Sequence, residues 1–379
     1  MSSSLTSIDK LFSSNPFEHS ETSKRMFRES FAACAAIHYE GNDFFRGLWQ
    51  RAGIKPDDLK SEMDLTLVPA IMVNLFKEYE LITGPQSEVV LNLTSSGTSG
   101  QKSQIFLNQG SLDRVKKLAW EIHAALGMTS DEEVNYLCFT YDPRVATNLG
   151  TAFTDELLTS FTKKKEVYYA IQWDEQKSDF ALNIDGVIDA LQRYSKSPQP
   201  VRILGFPAHL YKIVKDHNIK IRMPNRSWIQ TGGGWKGFVN EEVPKSQFRG
   251  FMADRLGIPE SNNRDMFGMV EHGIPYCDCP NGRLHIPNYA RVYIRSPKDM
   301  STLPEGTPGL IQFLCSYVTS YPSISLMTTD YGQLGTCDCG LGGATLEILG
   351  RAGVQKHKGC ALTASKLLED SSQISSAGT

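Results

Sequence analysis

The sequence predicts an α/β fold: a mostly parallel sheet with flanking helices, joined to a small β-rich subdomain. Three observations lead there. Short apolar runs alternate with segments of helical period over residues 86–283. Glycine-bearing loops stand at the ends of several of those runs. Over residues 284–348 the pattern changes to closely spaced strands. The 379 residues, 40% of them hydrophobic, supply a sizeable core and suit two or three structural units. A net charge of −3 gives no basis for nucleic acid or an anionic membrane as main partner. No apolar run reaches about 18 residues, so no membrane span is expected. The start, from Met1 to Thr6, lacks a basic region followed by an apolar stretch. A cytoplasmic chain follows, compatible with an oligomer, whose eight cysteines are thiols, ligands or nucleophiles rather than a disulfide framework.

Residues 1–85 are expected to form a helical region. Phe27, Phe31, Cys34, Ala35 and Ile37 fall at helical spacing, and Phe44, Phe45, Leu48 and Trp49 continue it. Pro56, Asp57 and Asp58 resemble a helix start. Residues 86–283 form the α/β core. Strands are predicted over 89–93, 136–139, 166–171, 201–205 and 227–230, and helices over 111–126, 152–161, 184–194, 207–214 and 246–256. Ser111 is expected to cap the first of these helices, with Asp113 in its first turn. Residues 284–349 form the β-rich subdomain, with strands over 292–294, 309–314 and 345–349. Residues 350–379 are a short hinge and tail whose last ten are expected to be disordered.

One stretch concentrates chemistry. Ser95, Ser96, Gly97, Thr98, Ser99, Gly100, Gln101 and Lys102 lie between two apolar runs. A loop that exposes backbone N–H groups, hydroxyls and a cation suits a polyphosphate. The spacing is not the Walker pattern, because Gln101 separates Gly100 from Lys102. Further motifs follow in order: Thr231-Gly232-Gly233-Gly234, Phe267-Gly268-Met269-Val270-Glu271, Thr329-Asp330-Tyr331-Gly332, and Gly350-Arg351.

In that order the motifs resemble those of the adenylate-forming superfamily of acyl- and aryl-CoA synthetases. The phenylacetate–CoA ligase branch and the acyl-protein synthetases of the bacterial bioluminescence fatty-acid reductase system are most similar. The resemblance implies the large domain of an adenylate-forming enzyme as the fold, with ATP and Mg²⁺ as cofactors. It implies that Ser95 to Gly100 and Lys102 hold phosphates, and that Gly232, Gly233, Gly234, Phe267 and Gly268 contact adenine. Asp330 and Arg351 would take ribose or phosphate, and Glu271 would hold Mg²⁺. The chemistry agrees: activating a carboxylate with ATP needs phosphate anchors, a carboxylate for a hard cation and a slot for a flat base.

The superfamily normally carries a C-terminal domain with a catalytic lysine beyond the hinge. This sequence ends soon after Arg351, so that domain is expected to be truncated, with Lys356 or Lys358 as candidates for the missing charge. Cys360 follows, two residues from Lys358 and three from His357. Neighbouring cations favour a thiolate nucleophile, and Cys360 matches the acylated cysteine of the bioluminescence synthetases. Lys102, Glu271 and Cys360 are thus the candidate catalytic residues.

Cys277, Cys279, Cys337 and Cys339 form two short-spaced pairs in turns, a candidate structural zinc site in which His272 or His285 could replace one ligand. Cys34, Cys138 and Cys315 sit in apolar runs and are expected in the core. Leu204, Phe206, Trp235 and Met269 are candidates for an acyl pocket, and His209 for a substrate contact. The function expected is ATP-dependent activation of a long-chain fatty acid to acyl-AMP, then transfer to Cys360 as a thioester for a partner fatty-acid reductase subunit. An acyl- or aryl-CoA ligase and a non-catalytic nucleotide- or zinc-binding module are the rival expectations.

Overall fold

The computed structural model describes residues 2–95, 102–142, 150–175, 179–235 and 238–351. Ser96, Gly97, Thr98, Ser99 and Gly100 of the glycine loop, and Lys356, Lys358 and Cys360 of the tail, lie outside them. Among the described residues no helix is long and apolar enough to cross a membrane.

The chain opens with helices Ser2–Leu11, Glu21–Gly41 and Asp43–Arg51. Ser20 and Asn42 cap the second and third, each side chain accepting a first-turn N–H, with Glu21 and Asp43 against the positive helix ends. Phe27, Phe31, Cys34 and Ala35 recur on one face of the second helix and are fully buried, as their spacing predicts.

The strands, in chain order, are β1 (Ile71–Met72), β2 (Val89–Thr94), β3 (Gln104–Asn108), β4 (Glu133–Tyr141), β5 (Lys163–Asp174), β6 (Asp179–Leu182), β7 (Val201–Gly205) and β8 (Trp228–Gly232). They continue with β9 (Asn263–Phe267), β10 (Tyr276–Cys277), β11 (Leu284–His285), β12 (Ala290–Arg295), β13 (Gly309–Cys315), β14 (Ser325–Gly335) and β15 (Thr345–Arg351). A seven-stranded sheet runs β10-β9-β8-β7-β4-β5-β6, parallel from β9 to β5. Its central strand β4 is buried on both faces. Val134, Tyr136 and Cys138 join one core and Leu137 and Phe139 the other, so the strand reads as a continuous apolar run. Helices Ile184–Ser195, Pro207–Asp216 and Lys245–Leu256 cover the second face.

A second sheet runs β11-β15-β14-β13-β12, antiparallel, with β1 pairing parallel to β14 at Ile71 and Leu326. The motif around Asp330 lies within the 11-residue β14, which the sequence pattern did not mark as a strand. The helix after β3 is Gln109–Ala125, and Asn108 caps it by accepting from the Ser111 N–H at 2.9 Å. Ser111 is therefore not the cap. It is fully buried, and its hydroxyl accepts from the Thr319 N–H at 3.0 Å.

That contact belongs to a buried, irregular stretch from Ser316 to Ser323 between β13 and β14. Buried backbone without a ladder needs other partners. The Ser316 carbonyl accepts from Ser30 Oγ at 3.0 Å, and the Tyr317 carbonyl from Arg114 Nη1 at 3.4 Å. His38 Nε2 stands 3.0 Å from the Val318 carbonyl, and its Nδ1 is 2.8 Å from Thr83 Oγ1. The carbonyl requires an N–H donor at Nε2, which leaves Nδ1 of a neutral ring to accept from Thr83.

Burial lowers the pKa of His38 and His123 to about 4 and of His272 to about 3, from 6.5. Between those values the unfolded chain binds protons that the folded chain refuses. Stability is complete above the unfolded value and falls as pH drops, by about 1.4 kcal/mol per pH unit for each histidine. A urea midpoint that falls steeply from about pH 7 to about pH 5 is expected. An unchanged midpoint would show that these rings charge without cost.

Candidate functional site

In an open α/β sheet, ligands bind beyond the carboxyl ends of the strands where strand order reverses. Here the order reverses at β4 and β7. Gly205 ends β7 with φ +112°, and a Cβ there would lie 2.8 Å from the Phe139 carbonyl oxygen on β4. Gly232, Gly233 and Gly234 end β8, with positive φ at Gly233 and Gly234. A Cβ on Gly233 would meet the Phe206 ring at 2.7 Å, whereas Gly234 faces open space. The glycines thus let the backbone pass flush over Phe206, with Gly233 and Gly234 exposed. Phe267 and Gly268 end the next strand, β9. The half-buried Phe267 ring stacks on Phe313 of the second sheet, centroids 5.8 Å apart.

The hydroxyl-rich loop joins the antiparallel strands β2 and β3. It is closed by Ser95 N–H to the Ser103 carbonyl at 3.1 Å and Ser103 N–H to Ser95 Oγ at 3.0 Å. Ser95 therefore closes the loop's mouth, with the exposed Lys102 beside it.

Glu271 sits in a tight turn in which Gly273 N–H donates to the Met269 carbonyl at 2.8 Å. Both Glu271 and His272 are buried. A Cβ on Gly273 would lie 2.0 Å from the Tyr317 hydroxyl. Tyr321 donates to the Glu271 carbonyl at 3.5 Å, and His272 Nε2 is 2.8 Å from the Tyr276 hydroxyl. The turn is therefore seated on buried tyrosines.

Asp330 and Arg351 face each other across β14 and β15. Arg351 Nε donates to Asp330 Oδ1 at 3.1 Å. Asp330 is buried while the Arg351 side chain is 70% exposed. Burial raises the Asp330 pKa, and the Arg351 charge opposes that. Gly332 permits the pairing, because a Cβ there would lie 2.5 Å from the Glu347 carbonyl oxygen.

The thiol site differs from the expected set. Cys279, His285, Cys337 and Cys339 converge, with ligand atoms all within 4.8 Å of one another. Cys277 and His272 are not part of it. Cys277 points into the core, its Sγ 3.7 Å from His123 Nε2. In a tetrahedral zinc site with Zn–S of about 2.3 Å, sulfurs lie about 3.8 Å apart. Cys279 and Cys337 Sγ stand at 3.7 Å, and Cys339 Sγ is 3.2 Å from His285 Nε2. His285 Nδ1 is 3.1 Å from the Gly342 carbonyl, the partner that fixes a ligating tautomer. Burial and the adjoining thiols push the Cys339 thiol up. Three thiols and an imidazole so crowded suit a soft divalent cation.

Of the acyl-pocket candidates, Leu204 lines a void of about 20 Å³. Trp235 packs in an aromatic group with Tyr211 and Phe248. His209 lies between the edges of Phe206 and Phe238, its Nδ1 buried without a hydrogen bond. A larger cavity, about 280 Å³, opens on β5 and β6 beside Tyr168, Tyr169, Ile171, Trp173, Phe180 and Asp142. No motif in the sequence points to these residues as a cavity lining; the aromatic density of β5 is the one signal for it.

Comparison with known proteins adds the following. The family model for acyl-protein synthetase, LuxE, matches residues 1–369. The long-chain-fatty-acid–luciferin-component ligase of Aliivibrio fischeri is 24% identical over 375 residues, covering 95% of this chain and 94% of the relative. The ligase of the same name from Vibrio harveyi is 24% identical over 367 residues, covering 95% and 93%. Among solved structures, 2-hydroxyisobutyryl-CoA ligase with 2-HIB-AMP in the postadenylation state superposes with a TM-score of 0.63. It is 16% identical and covers 87% of this chain and 68% of that one, which shows a shared fold.

Gly332→Ala is expected to force β14 and β15 apart next to Asp330, costing about 1–3 kcal/mol in urea denaturation. A midpoint like that of the parent chain would show that the strands separate freely there.

Proposed function

The chain belongs to the LuxE family of acyl-protein synthetases, and from that membership we propose that it activates a long-chain fatty acid with ATP and delivers the acyl group to Cys360. The observation that carries this reading is the facing of Asp330 and Arg351, which unites two distant motifs into one carboxylate–guanidinium pair. The names of the relatives supply the substrate class.

A carboxylate oxygen of the fatty acid attacks the α-phosphorus of ATP, and pyrophosphate leaves. The Cys360 thiolate then attacks the acyl carbon of acyl-AMP, AMP leaves, and a thioester forms. Lys102 and the amides of the Ser95–Gly100 loop hold the phosphates, and the β8 glycines with Phe267 and Gly268 seat the adenine. Asp330 takes ribose hydroxyls, and Arg351 orients it. A Mg²⁺ ion held by Glu271 would neutralise phosphate charge. The protein's share is positioning and charge stabilisation. Lys358 and His357 lower the cost of the Cys360 thiolate. A cytoplasmic fatty-acid reductase subunit is the proposed acceptor.

Cys279, His285, Cys337 and Cys339 are proposed to hold a structural zinc ion, a closed set with no position left for substrate. About one zinc per chain is expected by metal analysis, lost in Cys337→Ser. Full metal retention in that variant would overturn the ligand set.

Labelled fatty acid, ATP and Mg²⁺ should leave hydroxylamine-labile label on the protein, absent in Cys360→Ala. Adenylate formation with release only by CoA would favour a CoA ligase instead. Absence of pyrophosphate exchange with any fatty acid would overturn activation itself.

A further inference from the structure

We propose that Asp278 couples the Cys279–His285–Cys337–Cys339 centre to the nucleotide-binding glycines of β8, so that a bound metal ion tightens ATP binding. The proposal rests on the zinc and adenylation readings above and adds a link between them.

The link is a chain of named contacts. Asp278 adjoins the ligand Cys279 and is fully buried. Its carboxylate accepts from Lys245 Nζ at 3.0 and 3.2 Å and, through Oδ2, from the Asp265 N–H at 2.9 Å. Its own N–H donates to the Asp265 carbonyl at 2.9 Å, and its carbonyl accepts from Arg264 Nη1 at 2.7 Å. The turn that presents Cys279 is thereby tied to β9. Asp265 carries the connection onward. Its Oδ1 accepts from Thr231 Oγ1 at 3.1 Å, and its Oδ2 is 3.5 Å from Lys245 Nζ. Thr231 pairs with Asp265 in the sheet and directly precedes Gly232, Gly233 and Gly234. One lysine therefore bridges two carboxylates, one beside a metal ligand and one beside the glycine segment.

The network is buried only at Asp278, with the Lys245 and Asp265 side chains 39% and 35% exposed, so its ion pairs contribute little net stability. What it does supply is a fixed position for the Asp278 carboxylate, whose oxygens are both engaged. The centre also holds the far side of the site. Cys337 and Cys339 lie in the loop between β14 and β15, the strands that carry Asp330 and Arg351. An ion drawing Cys279 toward that loop fixes Asp278, and through Lys245 and Asp265 it fixes where the β8 glycines stand relative to Asp330.

The test measures zinc content and affinity for a fluorescent ATP analogue in the full chain, before and after chelation. Chelation of the parent chain should weaken binding about ten-fold or more. Asp278→Asn and Thr231→Val, neither of them a metal ligand, should keep about one zinc yet bind the analogue about ten-fold more weakly. Chelation should weaken them little further, and the double variant should be no worse than either single one. Parent-like affinity in both variants, or zinc-loaded and chelated parent protein binding equally, would overturn the coupling while leaving the centre intact. A chain that binds no zinc would overturn the centre and the coupling together. Near-UV circular dichroism separates both results from misfolding, since a folded variant with weakened affinity supports coupling and two folded variants with unchanged affinity refute it.

Discussion

Backbone carbonyls buried without a ladder set the strictest demand in this molecule. The Ser316–Ser323 stretch lies at the meeting point of the N-terminal helices, the second sheet and the Glu271 turn, and its peptide groups cannot reach water. Ser30, His38, Thr83, Arg114 and Ser111 answer it from three separate parts of the chain. Removing one such partner leaves a buried acceptor or donor bare, which costs about 1–3 kcal/mol. The same stretch presents Tyr317 and Tyr321 to the Glu271 turn, so the demand for backbone partners and the seating of a site residue are met together.

Around that junction the two sheets are held by unlike means. Phe267 stacks on Phe313, an apolar contact between β9 and β13. At the other end, Cys279 and His285 meet Cys337 and Cys339. The residues proposed for nucleotide binding are split, with the glycines at the end of β8 in the first sheet, Glu271 in the turn between β9 and β10, and Asp330 with Arg351 on the second sheet. A site so divided keeps its geometry only if the sheets cannot slide. The apolar stack resists separation, and a metal ion at the proposed centre would add a directional constraint between the sheets.

Much of the fold was legible because burial on both faces leaves a strong mark. β4 and β7 stand out as apolar runs, and β7 begins and ends where its pattern does. β14 did not stand out, because Thr328, Asp330 and Gln333 interrupt its apolar pattern. Thr328 Oγ1 donates to the Ile311 carbonyl and Asp330 pairs with Arg351, satisfying polar groups that alone would argue for a loop. Ser111 and Asn108 are both good caps by residue type, and only the chain path distinguishes them. The cysteine pairs were visible as spacing, yet direction was not. Cys277 ends a strand whose side chain enters the core, and the turn after Asp278 swings Cys279 the other way, toward His285.

The sequence by itself determined the order of the hydroxyl-rich loop, glycine segment, aromatic–glutamate motif and aspartate, and it is that order, not any one motif alone, that carries the resemblance. It also determined the alternation that makes the first sheet parallel. Tertiary structure decided which thiols converge, that Asp330 and Arg351 are partners, and that Asp278 connects Cys279 through Asp265 to Thr231. Those facts depend on register and on the direction of turns. A one-residue change in either moves a side chain to the opposite face without altering the composition or spacing that a sequence displays.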